Sequence, residues 1–322
     1  MNHKYKEIEK NLLNLTLFMG VVILCMLFWG VNGSNGKFLL TLRGGKIFAI
    51  ILSGSCIGIS TVIFQTITRS RILTPSIMGL DSLYIFLQTA IIFFFKYIPK
   101  EFNGSFVRFI FSTFCMVGLT LVLQKAFFRG EKPKILYLIL IGMVGGTFLE
   151  SLSNAMQVFL NPEDFLILQN LIYASYSKVE MNLLLLAYAI ILVVIYFIKN
   201  DFRNLDVLAL GYENSINLGL DYNKLLRKFF ITIGILVSVS TALVGPITFL
   251  GLLTVNLAKE IFPTYMHRYI LFGSVVLSII LLLLGQFLVE KIFSNSFPVS
   301  IVINLLGGSY LMYMILKERR VA

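Results

Sequence analysis

The chain has 322 residues, 57% of them hydrophobic and only 13% charged, with a formal net charge of +11. Soluble domains carry about 25% charged residues, so this composition excludes a soluble globule, and basic residues lying between apolar runs read as membrane topology rather than nucleic-acid binding. Cys25, Cys56 and Cys115 each fall inside an apolar run, and His3 and His267 lie far apart, which argues against a disulfide framework and a protein-ligated zinc or iron site.

A bilayer core is roughly 30 Å thick and takes about 20 apolar residues per helix. Runs nearly free of charge fall at 11–36, 47–68, 72–95, 109–124, 135–162, 181–198, 229–258, 269–289 and 292–316. No small-residue cleavage site follows the first run, so it reads as a retained span and not a signal peptide. After it, Gly33-Ser34-Asn35-Gly36-Lys37 is too short for a phosphate-binding loop. The second run carries Gly54 and Gly58, and the fifth Gly142 and Gly146. These are small-xxx-small pairs that let helices approach closely. Asp81 lies just inside the third run and reads as helix-starting or hydrogen-bonded, with no role assigned.

The fifth run also carries Glu150, Asn154, Gln157 and Asn161, spaced by four, three and four, with Thr147 extending the stripe. They share one helix face. Lipid cannot satisfy such groups, so the face must meet protein or water. The next stretch, 161–180, is apolar enough to lie in the membrane as a short helix. Segment 205–228 is half polar, and its Leu205, Leu208, Tyr212 and Ile216 recur at three- and four-residue steps, one face of a helix. Gly211 and Gly219 bracket a short helical piece, as capping glycines do. Such a segment is either an interfacial loop helix or one that fits a partner's groove.

Residues 229–258 would make a helix of about 45 Å, and Gly245-Pro246 interrupts them. Proline breaks a helix interior, so the run is expected to divide near 229–244 and 247–258, giving ten spans. In the last run, Ser300, Asn304 and Gly308 form a second polar face. With ten spans and a cytoplasmic N-terminus, 19 basic residues lie inside and 8 outside; leaving 229–258 whole makes the division 15 to 12. The positive-inside rule favours ten spans, both termini cytoplasmic and segment 205–228 inside. The fold expected is all-α and polytopic, a single transmembrane domain over 1–322.

Clustered acid–base residues are missing from the spans, so an enzyme is not expected. A stand-alone secondary transporter remains open on these residues, since such proteins use broken helices near the midplane.

Four blocks resemble the permease subunits of bacterial ABC importers for iron–siderophores, heme and cobalamin, the FecCD type. The first is QTITRSRILTPSIMG, where Gln65, Arg69, Pro75 and Gly79 match, with Ser70-Arg71 in place of Asn-Pro and Thr74 in place of an aspartate. The second is LGYENSINLG, with Leu210-Gly211, Glu213 and Leu218-Gly219 at the family spacing. The third is GPITFLGLL followed by NLAK and HR, matching at Gly245, Pro246, Ile247, Phe249, Gly251 and Leu252 but with Val255-Asn256 for Pro-His. The fourth, PVSIVINLLGG, matches at Pro298, Val299 and Gly307, with Ser300 where glycine is usual. A Trp-containing Gly-Ser segment of the family is replaced by LIYASYS.

The resemblance implies a permease subunit for a ferric siderophore, or by the same architecture for heme or cobalamin, in a bacterial cytoplasmic membrane. An extracellular binding protein would deliver the ligand, and a cytoplasmic ATPase dimer would bind ATP-Mg, with no cofactor on this chain. The 205–228 segment would couple to the ATPase through Leu208, Gly211, Tyr212, Glu213, Ile216 and Gly219. Arg43, Lys46 and Lys291 would meet acidic residues of the binding protein. Glu150, Asn154, Gln157, Asn161, Ser300 and Asn304 would line the path or the interface with a second permease subunit. The replaced Trp segment favours a heterodimer.

Overall fold

The computed structural model describes residues 2–29, 36–94, 104–127, 135–176, 179–293 and 297–319. Gly33-Ser34-Asn35 lie outside the described residues, as do Lys96, Lys100, Arg129, Lys132, Lys134, Lys178 and Arg320, which enter the charge distribution above. The described residues are helical, with no strand among them. The order is α1 (Asn2–Phe28), α2 (Gly36–Thr68), a 3-10 turn (Pro75–Met78), α3 (Leu80–Phe94), α4 (Ser105–Phe127), α5 (Ile135–Val158) and α6 (Pro162–Ile172). Then come α7 (Met181–Ile198), the short α8 (Asn204–Leu208) and α9 (Tyr212–Asn217), α10 (Tyr222–Val244), α11 (Leu250–Ile261), α12 (His267–Lys291) and α13 (Val299–Arg319).

Eight described helices, α1, α2, α4, α5, α7, α10, α12 and α13, are long and apolar enough to cross a membrane; α3 is apolar but shorter. Three of them, α2, α10 and α12, are mostly buried, whereas few residues of α1, α5 and α13 are buried. Exposed apolar residues such as Leu17, Leu24, Phe114, Leu192 and Phe197 form the outer surface. In water such a surface would be unstable; in lipid it is the ground state, because every helix satisfies its own backbone.

The central pair is α2 against α12. A Cβ added at Gly54 would stand 3.1 Å from Ile279 Cγ1, and one at Gly58 would stand 3.1 Å from Ser278 Oγ. The pair of glycines therefore sets how closely the two helices approach. The second pair does the same on another flank. A Cβ at Gly142 would lie 2.7 Å from the Ile77 carbonyl oxygen, so α5 rides directly on the 3-10 turn.

The 229–258 run divides as its glycine and proline predict. Helix α10 ends at Val244, Gly245 takes φ 103, and α11 starts at Leu250. The Gly245 N–H still closes onto Thr241 O at 2.8 Å, and the Val244 carbonyl accepts from Ser175 N at 3.0 Å. A side chain at Gly245 would meet the backbone of Ala174 at 3.0 Å, so close approach as well as positive φ demands glycine there. In α11, a Cβ at Gly251 would come within 2.1 Å of Thr61 Oγ1. The third sequence block is therefore pressed against α2 at a spacing that only glycine permits.

Candidate functional site

Helices α8 and α9 do not form one continuous amphipathic helix. Gly211 takes φ 96 at the N-cap of α9 and turns the chain. The two short helices then fold on each other: Ser215, fully buried, donates through Oγ to Val207 O at 2.9 Å. Gly219 (φ 83) closes α9, with its N–H on Ile216 O at 2.8 Å and Leu220 N on Ser215 O at 3.0 Å.

The expected face is divided by this turn. Leu205 and Leu208 are buried in the core with Leu226, Phe229 and Phe230, and Tyr212 packs against the same cluster and edge-on to Tyr222, with ring centroids 5.1 Å apart. Ile216 is instead 44% exposed, beside Leu210 and Leu218, which are also exposed. Glu213 lies on the exposed side too. The outward apolar surface of this segment is thus Leu210, Ile216 and Leu218, while Leu205 and Leu208 anchor it.

Polar contacts fasten the anchor. Asp206 of α8 accepts from the His267 backbone N–H at 2.7 Å and from His267 Nδ1 at 2.6 Å. A carboxylate only accepts, so Nδ1 carries the proton. His267 is the first residue of α12, whose own N-cap residue, Met266, offers no side-chain cap. Asp206 therefore caps α12 from another helix, where a negative charge is favoured. The second ring nitrogen, Nε2, lies 3.0 Å from Thr66 Oγ1 of α2. Lys228 of α10 pairs with Asp201 just before α8. A Cβ at Gly211 would collide with the guanidinium of Arg69, 1.1 Å from Nη2, so Arg69 is seated on the bare glycine backbone. Arg69 itself is held at φ 52, an uncommon conformation for a residue with a side chain.

Residues of the first and third sequence blocks meet beside this anchor. Gln65 donates to Arg71 O at 2.9 Å and accepts from Lys259 Nζ at 2.7 Å. Asn256, standing where the family pattern has histidine, also donates to Arg71 O, at 2.9 Å. An open cavity of about 720 Å³ lies here, lined by Arg69, Arg71, Lys259 and His267, with no carboxylate lining it among the described residues. Burial, and next the charge of Arg71, push the Lys259 ammonium down to about 8. Sequence reasoning missed Asp206, Lys259 and His267. Opposite charges at the ends of runs assigned to the same membrane side were the available signal.

The polar stripes occupy separate helices that pack on different neighbours: α5 on α3, α4 and the 3-10 turn, and α13 on α11 and α12. Helix α5 ends at Val158, so Asn161, the extended N-cap of α6, falls off the helix face expected for the four residues; it, Glu150 and Asn154 are exposed, and Gln157 donates to Ser153 Oγ at 3.0 Å. Ser300 Oγ and Asn304 Oδ1 are buried without a hydrogen-bond partner among the described residues. The single chain does not bring the two stripes together.

At the far end of α2, Arg43 donates through Nη1 to Leu27 O at 2.9 Å and Trp29 O at 2.8 Å, collecting the last carbonyls of α1. Lys46 makes a 2.6 Å salt bridge with Glu290, both side chains largely buried. Lys291 is exposed. Of the three basic residues expected at this rim, two are engaged within the chain.

The model of the FecCD transport family matches residues 12–317. The petrobactin import system permease protein YclO of Bacillus subtilis is 46% identical over 312 residues, covering 97% of this chain and 99% of that protein. The petrobactin import system permease protein FatC of Bacillus anthracis is 33% identical over 274 residues, covering 85% and 77%. A solved structure described as an inward-facing conformation of a putative metal-chelate type ABC transporter superimposes with a TM-score of 0.83 over 96% of this chain and 99% of that one, at 21% identity.

Proposed function

The chain belongs to the FecCD transport family, and on that footing we propose that it is the permease subunit of an ATP-driven importer for a ferric siderophore of the petrobactin class. The protein sits in a bacterial cytoplasmic membrane. On this reading the eight long described helices, with α3 and α11, make ten crossings, and both termini are cytoplasmic. The positive-inside distribution supports that orientation. The chain carries no ATP; a separate ATPase dimer binds ATP-Mg and hydrolyses it.

The observation that carries this reading is the mounting of α8–α9. Outward, Leu210, Ile216 and Leu218 offer an apolar knob to a groove on the ATPase, with Glu213 at its edge. Inward, Leu208 and Tyr212 are packed into the core, Gly211 receives Arg69, and Asp206 holds the first turn of α12. Displacement of the knob is therefore passed to α12 and, through their close-packed glycine contacts, to α2. Gly219 ends the knob, and Gly245-Pro246 divides α10 from α11 so that the two need not move as one rod.

The siderophore passes between this chain and a second permease subunit. Glu150, Asn154 and Gln157 on α5, Asn161 at the start of α6, and Ser300 and Asn304 on α13 supply the polar groups that the path or that interface requires. A related second permease is favoured over a copy of this chain, because LIYASYS stands where the family has its Trp-containing segment. On the outer face an extracellular binding protein docks. Lys291 is its exposed contact, and Arg43 and Lys46 shape the rim that it meets.

The test is uptake by vesicles holding this chain with its ATPase and the second permease, supplied with binding protein and ferric petrobactin. ATP-dependent accumulation is expected. Accumulation by this chain alone under an ion gradient would overturn the reading in favour of a secondary transporter.

A further inference from the structure

Away from the coupling segment, a small polar cavity lies where α2, α3 and the end of α10 meet the Gly245 break. Its polar lining is Ser60 and Thr61 of α2, Thr74 just before the 3-10 turn and Ser76 within it, Asp81 of α3, and Thr241 and Thr248 on either side of the break. Its volume is about 20 Å³. A site needs about 10–15 Å³ on this measure to admit one water-sized particle, so it holds a single small occupant.

Asp81 gives the cavity its character. Ser76 and Thr248 hydrogen-bond its carboxylate, yet Oδ2 is buried with no partner among the described residues. Among the described residues no Lys, Arg or His lines the cavity. An ionised carboxylate left this way is costly in a low-dielectric interior, and ionisable residues inside membrane spans mark functional sites with a definable partner. The hydroxyls around it have the right polarity for a cation. Ser60 Oγ already spends its proton on Ile57 O at 3.1 Å, and Ser76 and Thr248 spend theirs on Asp81. Each therefore turns only lone pairs toward the cavity.

We propose that this cavity is a binding site for one alkali cation of Na⁺ size, held by Asp81 Oδ2 and by hydroxyl oxygens drawn from Ser60, Thr61, Thr74 and Thr248. A single carboxylate balances one positive charge, whereas Ca²⁺ takes six to eight oxygens and usually several carboxylates. An all-oxygen set without imidazole or thiolate disfavours transition metals. The site pins the break from three sides, since its donors come from α2, from the turn before α3 and from the segment after Gly245. Broken helices in membrane transporters hold Na⁺ in comparable surroundings. The proposal concerns how the break is held and does not depend on which solute the importer carries.

The experiment is thermal unfolding of the purified full chain in detergent, with NaCl exchanged for choline chloride at constant ionic strength. The wild-type midpoint is expected to rise with Na⁺ and to saturate, by about 2 °C or more for a chain of this size at saturation. In Asp81→Asn the Na⁺ response is lost. In Thr248→Val, which keeps the carboxylate, the same rise needs several-fold more Na⁺; this variant and Thr74→Val carry the test if Asp81→Asn does not fold. A wild-type midpoint equal in Na⁺ and choline overturns the proposal, as does an undiminished Na⁺ response in Asp81→Asn. The readout uses neither ATP nor a siderophore, so its failure is distinguishable from failure of the importer reading.

Discussion

Asp206 and His267 lie 61 positions apart, yet one carboxylate oxygen of the first receives both the backbone N–H and the ring Nδ1–H of the second, at 2.7 and 2.6 Å. The contact makes α8 the missing N-terminal cap of α12. Hydrogen bonds to a charged group are worth about 1.5–3 kcal/mol each when a partner is lost. Asp206→Asn keeps the shape but removes the charge, and is expected to lower the denaturation midpoint and to reduce uptake more than ATP hydrolysis. Hydrolysis and uptake falling in the same proportion would show that the contact only stabilises the fold.

Gly211 and Arg69 give a second test. Gly211→Ala places a methyl group 1.1 Å from Arg69 Nη2 and puts a side chain at φ 96. The backbone term alone costs about 1–2 kcal/mol. Adding Arg69→Ala removes the collision but not the backbone cost. The double variant is expected to recover part of the ATPase binding that Gly211→Ala loses, measured by co-purification of the complex. No recovery would mean that the guanidinium is not seated against this glycine.

Alkaline pH separates Lys259 from its surroundings. Its folded value, about 8, lies below the 10.5 of an ordinary lysine. Between these values the unfolded chain binds the proton and the folded chain does not, so this residue makes stability rise with pH over that window. Arg69, Arg71, His267 and Tyr265 also face the cavity. Lys259→Met is therefore expected to flatten the stability profile between pH 8 and 10.5 relative to wild type, read from matched unfolding curves. Parallel curves would contradict the depressed value.

Near the start of α2 and the end of α12, Lys46 and Lys291 should behave differently. Lys46 is held by Glu290 at 2.6 Å. Lys46→Met leaves that carboxylate without its cation and should cost about 1–3 kcal/mol of stability, partly restored by adding Glu290→Leu. Lys291→Glu should leave stability nearly unchanged and slow binding-protein association, most at low salt, because a rim charge acts through steering. A salt-independent association rate in Lys291→Glu and wild type alike would remove Lys291 from the docking surface.

Gly251→Ala should be among the most damaging small substitutions, because the added carbon would stand 2.1 Å from Thr61 Oγ1. Overpacking of this kind costs about 1–3 kcal/mol. Thr61→Ala in the same chain is expected to relieve part of it, measured as recovery of folded protein in detergent. Equal losses in the single and double variants would place the conflict elsewhere.

Local chemistry was readable before any coordinates. The Gly245-Pro246 break follows from what proline and glycine do to any helix, and Gly54, Gly58, Gly142 and Gly146 lie at close crossings because small residues have few other uses at such spacing. The face drawn through Leu205, Leu208, Tyr212 and Ile216 was only half legible. Its steps continue across Gly211 in sequence, but the positive φ there turns the chain, sending Leu208 inward and Ile216 outward. The Asp206–His267 and Lys46–Glu290 contacts carry no periodic signature at all. They depend on which helix ends become neighbours, and separations of 61 and 244 residues hide that from a one-dimensional pattern.

The first helix is fastened at both extremities. Arg43 gathers its final carbonyls, and near its start Ile8 is buried in a cluster with Ala258, Phe262 and Leu277, while the middle presents Leu13, Leu17 and Val21 outward. A free crossing helix answers a thinner or thicker bilayer by tilting. One moored at each leaflet has lost that freedom, so around α1 the lipid chains must stretch or compress to fit the protein.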